Sequence, residues 1–257
     1  MTRNSFIIIF LLVLILIQYQ EPEKYPYKNG IPTSRGIDYY IKVNEYNFVE
    51  EYSRFVQDTI EDVYIETDNL SLYTDADSLE LGRYYLPNGI TITNETKFIA
   101  YDIDELGKYR KKTIESNRFV KAVVMHEITH YYFYRIIMEM RYNKMHVAPE
   151  YLMTLRIFPY NEPGSEFIEE GVCEYMIQKM GEINLYKTIY VPKTISEISD
   201  PSKKYEIKYK YASSYLKDFL DQAMDTGRVK EAIKVLLKNT PPSPQEILNS
   251  EIYFNRL

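Results

Sequence analysis

The chain has 257 residues, a formal net charge of −6 and a sequence pI near 5.3. Its length and apolar content are enough for one sizeable core or two small lobes. The acidic balance, with no basic block longer than three residues, argues against nucleic acid as a partner, and the lone cysteine, Cys173, rules out an intrachain disulfide.

From the N-terminus, Met1-Thr2-Arg3-Asn4 is short and slightly basic, and Phe6 to Ile17 is an unbroken apolar run. Twelve apolar residues are too few to span a bilayer comfortably, but they have the length of a signal-peptide core. No small-x-small cleavage site follows, so residues 1–20 read as a signal peptide or an uncleaved signal anchor. This predicts a secreted or membrane-anchored protein with its folded part outside the cytoplasm. Residues 21–36 carry three prolines and two glycines and read as a linker.

Residues 37–95 read as an N-terminal α/β lobe. Weak alternation over 36–43 predicts a strand. Phe48, Tyr52, Phe55, Val56, Ile60 and Val63 have the spacing of an amphipathic helix over 45–63. Strands are expected over 63–73, 82–86 and 90–93, the last two joined through Pro87-Asn88-Gly89 as a hairpin. Residues 96–102 read as a further strand.

Beyond Gly107 the pattern turns helical. Helices are expected over 119–140, 164–179, 211–224 (ended by Gly227), 229–237 and 244–253, with Pro241 to Pro244 as a rigid turn. Between the first two, 143–163 is a proline-interrupted connection holding a short helix at 151–156, and 192–204 reads as loop. The fold class predicted is α+β: a strand-rich N-terminal lobe followed by a helical one, without internal repeats.

Within the helix over 119–140 stands His126-Glu127-Ile128-Thr129-His130. Histidines four apart lie one turn apart on one helix face, where both rings can reach a single Zn²⁺, and the glutamate between them falls beside water at the metal. These are two of only three histidines in the chain; the third, His146, falls in the proline-interrupted connection. A glutamate in so apolar a helix would be costly to bury without a metal or a partner. A catalytic zinc needs three protein ligands plus an open position. The extended HExxHxxGxxH pattern is closed here, because its glycine and third histidine positions hold Phe133 and Ile136. The next acidic cluster on a predicted helix runs from Glu166 to Glu174. Glu170 and Glu174 share a face, so one can ligate while the other anchors a ligand histidine through its second ring nitrogen. Glu166 and Glu169 are substitutes for the ligand role. Cys173, beside them, reads as a small buried residue or as a fourth ligand that would close the site.

With HExxH followed on a later helix by Glu169-Glu170-Gly171-Val172-Cys173-Glu174-Tyr175, the chain resembles the gluzincin metallopeptidases, in particular the aminopeptidase-like, peptidase MA-like branch. The resemblance covers roughly residues 96–237. It implies a zincin-like catalytic region over 96–257, one Zn²⁺ per chain held by His126, His130 and Glu170, and Glu127 as general base. It further implies Glu174 as a carboxylate behind the ligands. Tyr211, opening the Tyr211-Ala-Ser-Ser-Tyr215-Leu-Lys-Asp-Phe219-Leu220 block, is implied as the catalytic tyrosine, with Tyr209 its rival. The activity implied is hydrolysis of a peptide or protein substrate, which strand 96–102 could bind along an open sheet edge. Two departures stand out. The interval from His130 to Glu170 is longer than in the aminopeptidases, and their G-x-M-E-N strand has no counterpart, so exopeptidase specificity is not carried over. The reading from another class is a zinc-binding scaffold or recognition module without catalysis.

Overall fold

The computed structural model describes residues 27–28, 31–32, 34–68, 81–93, 113–153, 163–181, 190–203 and 206–257. The apolar run at 6–17, most of the 21–36 linker, the strand expected at 96–102 and residues 154–162 of the proline-interrupted connection lie outside them. Among the described residues no helix is long and apolar enough to cross a membrane.

The architecture is mixed α+β, mostly helical with a small sheet. A two-residue ladder, β1 (Tyr27–Lys28) with β2 (Ile31–Pro32), precedes the long helix α1 (Ser34–Val56). The strand expected over 36–43 is thus the opening of a helix. Ile37, Ile41, Phe48, Tyr52 and Val56 are all buried, and their spacing extends the helical period of 48–56 back through the segment that alternates weakly. The first part of the chain is accordingly less strand-rich than its sequence suggests.

The three-stranded sheet has the order β3–β5–β4, from β3 (Tyr64–Asp68), β4 (Gly82–Tyr85) and β5 (Gly89–Thr93). β5 is central, parallel to β3 and antiparallel to β4 in the hairpin expected around Asn88-Gly89. Ile90, Thr91, Ile92 and Thr93 are all buried, as a strand flanked on both sides and covered by helices requires.

Helix α2 (Thr113–Tyr142) is the centre of the molecule. It contains neither glycine nor proline, and it buries residues on nearly all sides: Val120, Val124, Met125, Ile128, Tyr132, Phe133, Ile136, Ile137 and Met140. A helix apolar all round belongs inside a core. It ends where Lys144 turns left-handed at φ 56° and the Met145 N–H donates back to the Met140 carbonyl at 2.8 Å, closing the last turn. Then follow α3 (Pro149–Met153) and α4 (Pro163–Lys179), the short α5 (Ile195–Ile198), a 3₁₀ turn (Pro201–Lys203), a π-helical segment (Glu206–Tyr211), α6 (Ala212–Asp225) and α7 (Val229–Lys238). The helix expected over 244–253 is two, α8 (Pro244–Leu248) and α9 (Ser250–Phe254), parted at Asn249. One buried apolar cluster draws on residues from Ile37 to Tyr253, so the 37–95 segment shares its core with the helices that follow.

Candidate metal centre

His126 and His130 project from α2 towards α4, which presents Glu169, Glu170, Cys173 and Glu174 in return. The Nε2 atoms of the two histidines are 3.1 Å apart. Glu170 Oε2 lies 3.0 Å from His126 Nε2 and 3.5 Å from His130 Nε2. A tetrahedral zinc with ligands at about 2.0–2.1 Å separates its donor atoms by about 3.4 Å. Two nitrogens and one oxygen therefore form a triangle of the size that ion needs. The donor types, imidazole with carboxylate, also suit it.

The remaining ring nitrogens are anchored. His130 Nδ1 lies 2.7 Å from Glu169 Oε1, and His126 Nδ1 lies 3.2 Å from Glu174 Oε1. Carboxylates at both Nδ1 atoms favour the proton there and leave both Nε2 lone pairs free for a cation. Glu174 Oε2 is buried without a hydrogen-bond partner among the described residues.

The electrostatics of these groups point the same way. Burial disfavours the charged imidazole of His126, but Cys173, Glu170 and Glu174 outweigh it and hold the ring well above its ordinary value. For His130 burial is likewise overcome, by Cys173, Glu170 and Glu169. Burial would raise the Glu170 carboxyl, yet His130, His126 and Lys208 carry it well below its usual range. Each group asks for a cation beside it, which a bound metal would provide in place of protons.

Glu127 is nearly buried, on the side of α2 that meets β4. A Cβ placed on Gly82 would come within 2.8 Å of Glu127 Cγ and 2.9 Å of its Oε1. The absence of a side chain at Gly82 is what makes room for the glutamate. Across the site, Gly171 has a similar task. A Cβ there would meet the carbonyl carbon and Cβ of Ala212 at 2.9 Å each, so glycine lets α4 and the start of α6 approach closely. That approach brings the π-helical segment onto the site.

This segment carries Lys208 and Tyr209. Lys208 Nζ lies 3.1 Å from Glu170 Oε1 and also pairs with Glu166 Oε1. The Tyr209 ring centroid is 6.1 Å from that of His126, and burial, then the charge of Glu170, raises its hydroxyl pKa. Tyr211, the catalytic tyrosine implied by the resemblance, faces elsewhere: its hydroxyl donates to the Ile247 carbonyl at 2.9 Å, and its ring packs on Phe167 and Tyr215. The structure thus brings together His126, His130, Glu170, Glu169 and Glu174, with Tyr209 rather than Tyr211 beside them.

Cys173 is a further potential donor here. It is fully buried, its ligand atom falls with those of His126 and His130 in a group within 4.8 Å, and burial raises its thiol. Cys173 and Glu170 therefore both present a donor to the two histidines.

Sequence reading did not find the anchoring roles of Glu169 and Lys208, nor the space left by Gly82. Glu169 was legible in principle, as it sits one turn from Cys173 on the motif helix. Nothing in the residue pattern marked Lys208. Comparisons of the chain with protein-family models, curated proteins and solved structures found no match.

Proposed function

We propose that the chain is a zinc-dependent hydrolase of the gluzincin metallopeptidase type, cleaving peptide bonds of a peptide or protein outside the cytoplasm. The observation that carries this reading is the triangle of His126 Nε2, His130 Nε2 and Glu170 Oε2, with both Nδ1 atoms tied to carboxylates and a glutamate between the two histidines. Zinc held there would act as a Lewis acid and lower the pKa of water. The rest belongs to the chain's own side chains. Glu127 takes a proton from the attacking water and delivers it to the amide nitrogen as the C–N bond breaks, so the amine leaves neutral and the acyl carbon keeps the water oxygen. Tyr209 donates a hydrogen bond to the scissile carbonyl oxygen as negative charge gathers on it. Glu169 and Glu174 keep the rings from turning. β4 is an edge strand among the described residues and touches Glu127 through Gly82, which supports an extended substrate lying along it.

The test is zinc content and hydrolysis of a quenched-fluorescence peptide library by the full chain. The wild type is expected to carry one zinc and to cleave. Glu170→Gln is expected to lose zinc, and Glu127→Gln to keep zinc while losing roughly 10²-fold or more in kcat. A wild type that takes up no zinc would overturn the proposal.

A second reading rests on Cys173. If its sulfur joins the two histidines, the site closes into a structural zinc, and the chain is a scaffold or recognition module. Under that reading Cys173→Ser loses zinc and Glu127→Gln changes nothing measurable.

A further inference from the structure

Lys208 has no part in the chemistry above, yet it contacts the proposed ligand Glu170. Its ammonium bridges Glu166 and Glu170, both on α4, and lies over the Tyr209 ring, 5.1 Å from its centroid. It approaches Oε1 of Glu170, whereas the two histidines approach Oε2. One carboxylate is thus shared between a cation that is built in and a position where a second, exchangeable cation fits. The two compete. Without metal, the ammonium compensates a buried carboxylate that would otherwise be strongly destabilising. With metal bound, the same carboxylate is neutralised from its other oxygen, and the ammonium becomes a like charge close to the ion.

We propose that Lys208 is a positioning residue that stands in for the metal at Glu170 and thereby sets the metal affinity, trading tight binding for a metal-free site that stays folded and ready to load. Glu166 is the other half of the device, because it draws the ammonium away from Glu170 when the metal arrives. The proposal rests on the His126–His130–Glu170 reading of the site.

The experiment is competitive Zn²⁺ titration of the full chain against a chromogenic chelator, with thermal melts of the zinc-free and zinc-loaded protein. Lys208→Met keeps the aliphatic stem and removes the charge. Its zinc-free form should melt lower, and its zinc Kd should be tighter by roughly tenfold or more, because the metal now relieves an uncompensated carboxylate. Lys208→Arg should stay near wild type. Glu166→Gln should shift Kd the opposite way, to weaker binding, since the ammonium then rests on Glu170 alone. A Lys208 that merely glues the π-helical segment to α4 would weaken zinc binding when removed, so weaker or unchanged affinity in Lys208→Met overturns the proposal. Should that variant fail to fold, unchanged or tighter binding in Glu166→Gln overturns it equally. Absence of zinc binding in the wild type would instead sink the underlying site reading, with both variants then uninformative about affinity and the Lys208 proposal falling with it.

Discussion

A ligand histidine whose ring can swing loses metal as surely as one that is replaced. The contacts of His130 Nδ1 with Glu169 and of His126 Nδ1 with Glu174 therefore make a prediction of their own. Glu169→Ala, on the more exposed of the two carboxylates, should weaken zinc binding by roughly 10–100-fold while far-UV circular dichroism stays unchanged; unaltered affinity would remove Glu169 from the site. Two tyrosines divide in the same manner. Tyr209→Phe should lower kcat with little change in melting temperature. Tyr211→Phe should do the reverse, since its hydroxyl serves only the Ile247 carbonyl among the contacts described, at a net cost of about 1 kcal/mol. Steady-state kinetics and urea denaturation on both variants separate these outcomes. The histidines and Glu127 were legible in the sequence because a helix converts a spacing of four into a shared face. Which of Tyr209 and Tyr211 lies beside the histidines is not fixed by the residue pattern. The helix ahead of Ala212 is π-helical from Glu206 to Tyr211, and a π turn holds more residues than an α turn, so a face extrapolated backwards from α6 slips in register.

Among the elements, the contact of α4 with the π-helical segment and α6 brings Lys208 and Tyr209 to the site. It depends on Gly171, whose missing Cβ lets Ala212 approach. Gly171→Ala should destabilise the fold by about 1–3 kcal/mol, read from urea denaturation, because α4 and the start of α6 must then move apart. A Gly171→Ala protein as stable as wild type would mean that the two elements are not held as closely as described. Element boundaries were legible where glycine, proline or a cap marks them. Gly227 sits left-handed at φ 66° just after α6, and Ser243 with Glu246 forms a capping box at α8. They were less legible where only periodicity speaks. Ile37, Tyr39, Ile41 and Val43, interrupted by Asp38 and Lys42, mimic the alternation of a strand, yet on α1 Ile37 and Ile41 are buried while Tyr39 and Val43 are exposed.

For the molecule as a whole, the C-terminal turns back the wall on which Tyr211 and Tyr215 rest, through the carbonyls of Ile247 and Glu246. Arg256 Nε donates to Glu246 Oε1 at 2.7 Å, joining α9 to α8. Burial would raise the Glu246 carboxyl, but Arg256 and the Ser243 donors hold it below its usual value. A carboxyl depressed in the folded state contributes stability that is fully present above its unfolded pKa, about 4.3, and is lost as pH falls through the folded one. The stability difference between wild type and Glu246→Gln should therefore be largest near pH 7 and shrink below about pH 4. A difference independent of pH, measured by urea denaturation across that range, would show that the carboxylate charge plays no part.

The proposed hydrolase needs a zinc held by His126, His130 and Glu170, with a position left open for chemistry. X-ray absorption at the zinc edge of the loaded full-length chain tests it most directly. Nitrogen and oxygen donors alone, at about 2.0–2.1 Å, are expected; a sulfur donor at about 2.3 Å would put Cys173 in the shell, close the site and overturn the hydrolase reading.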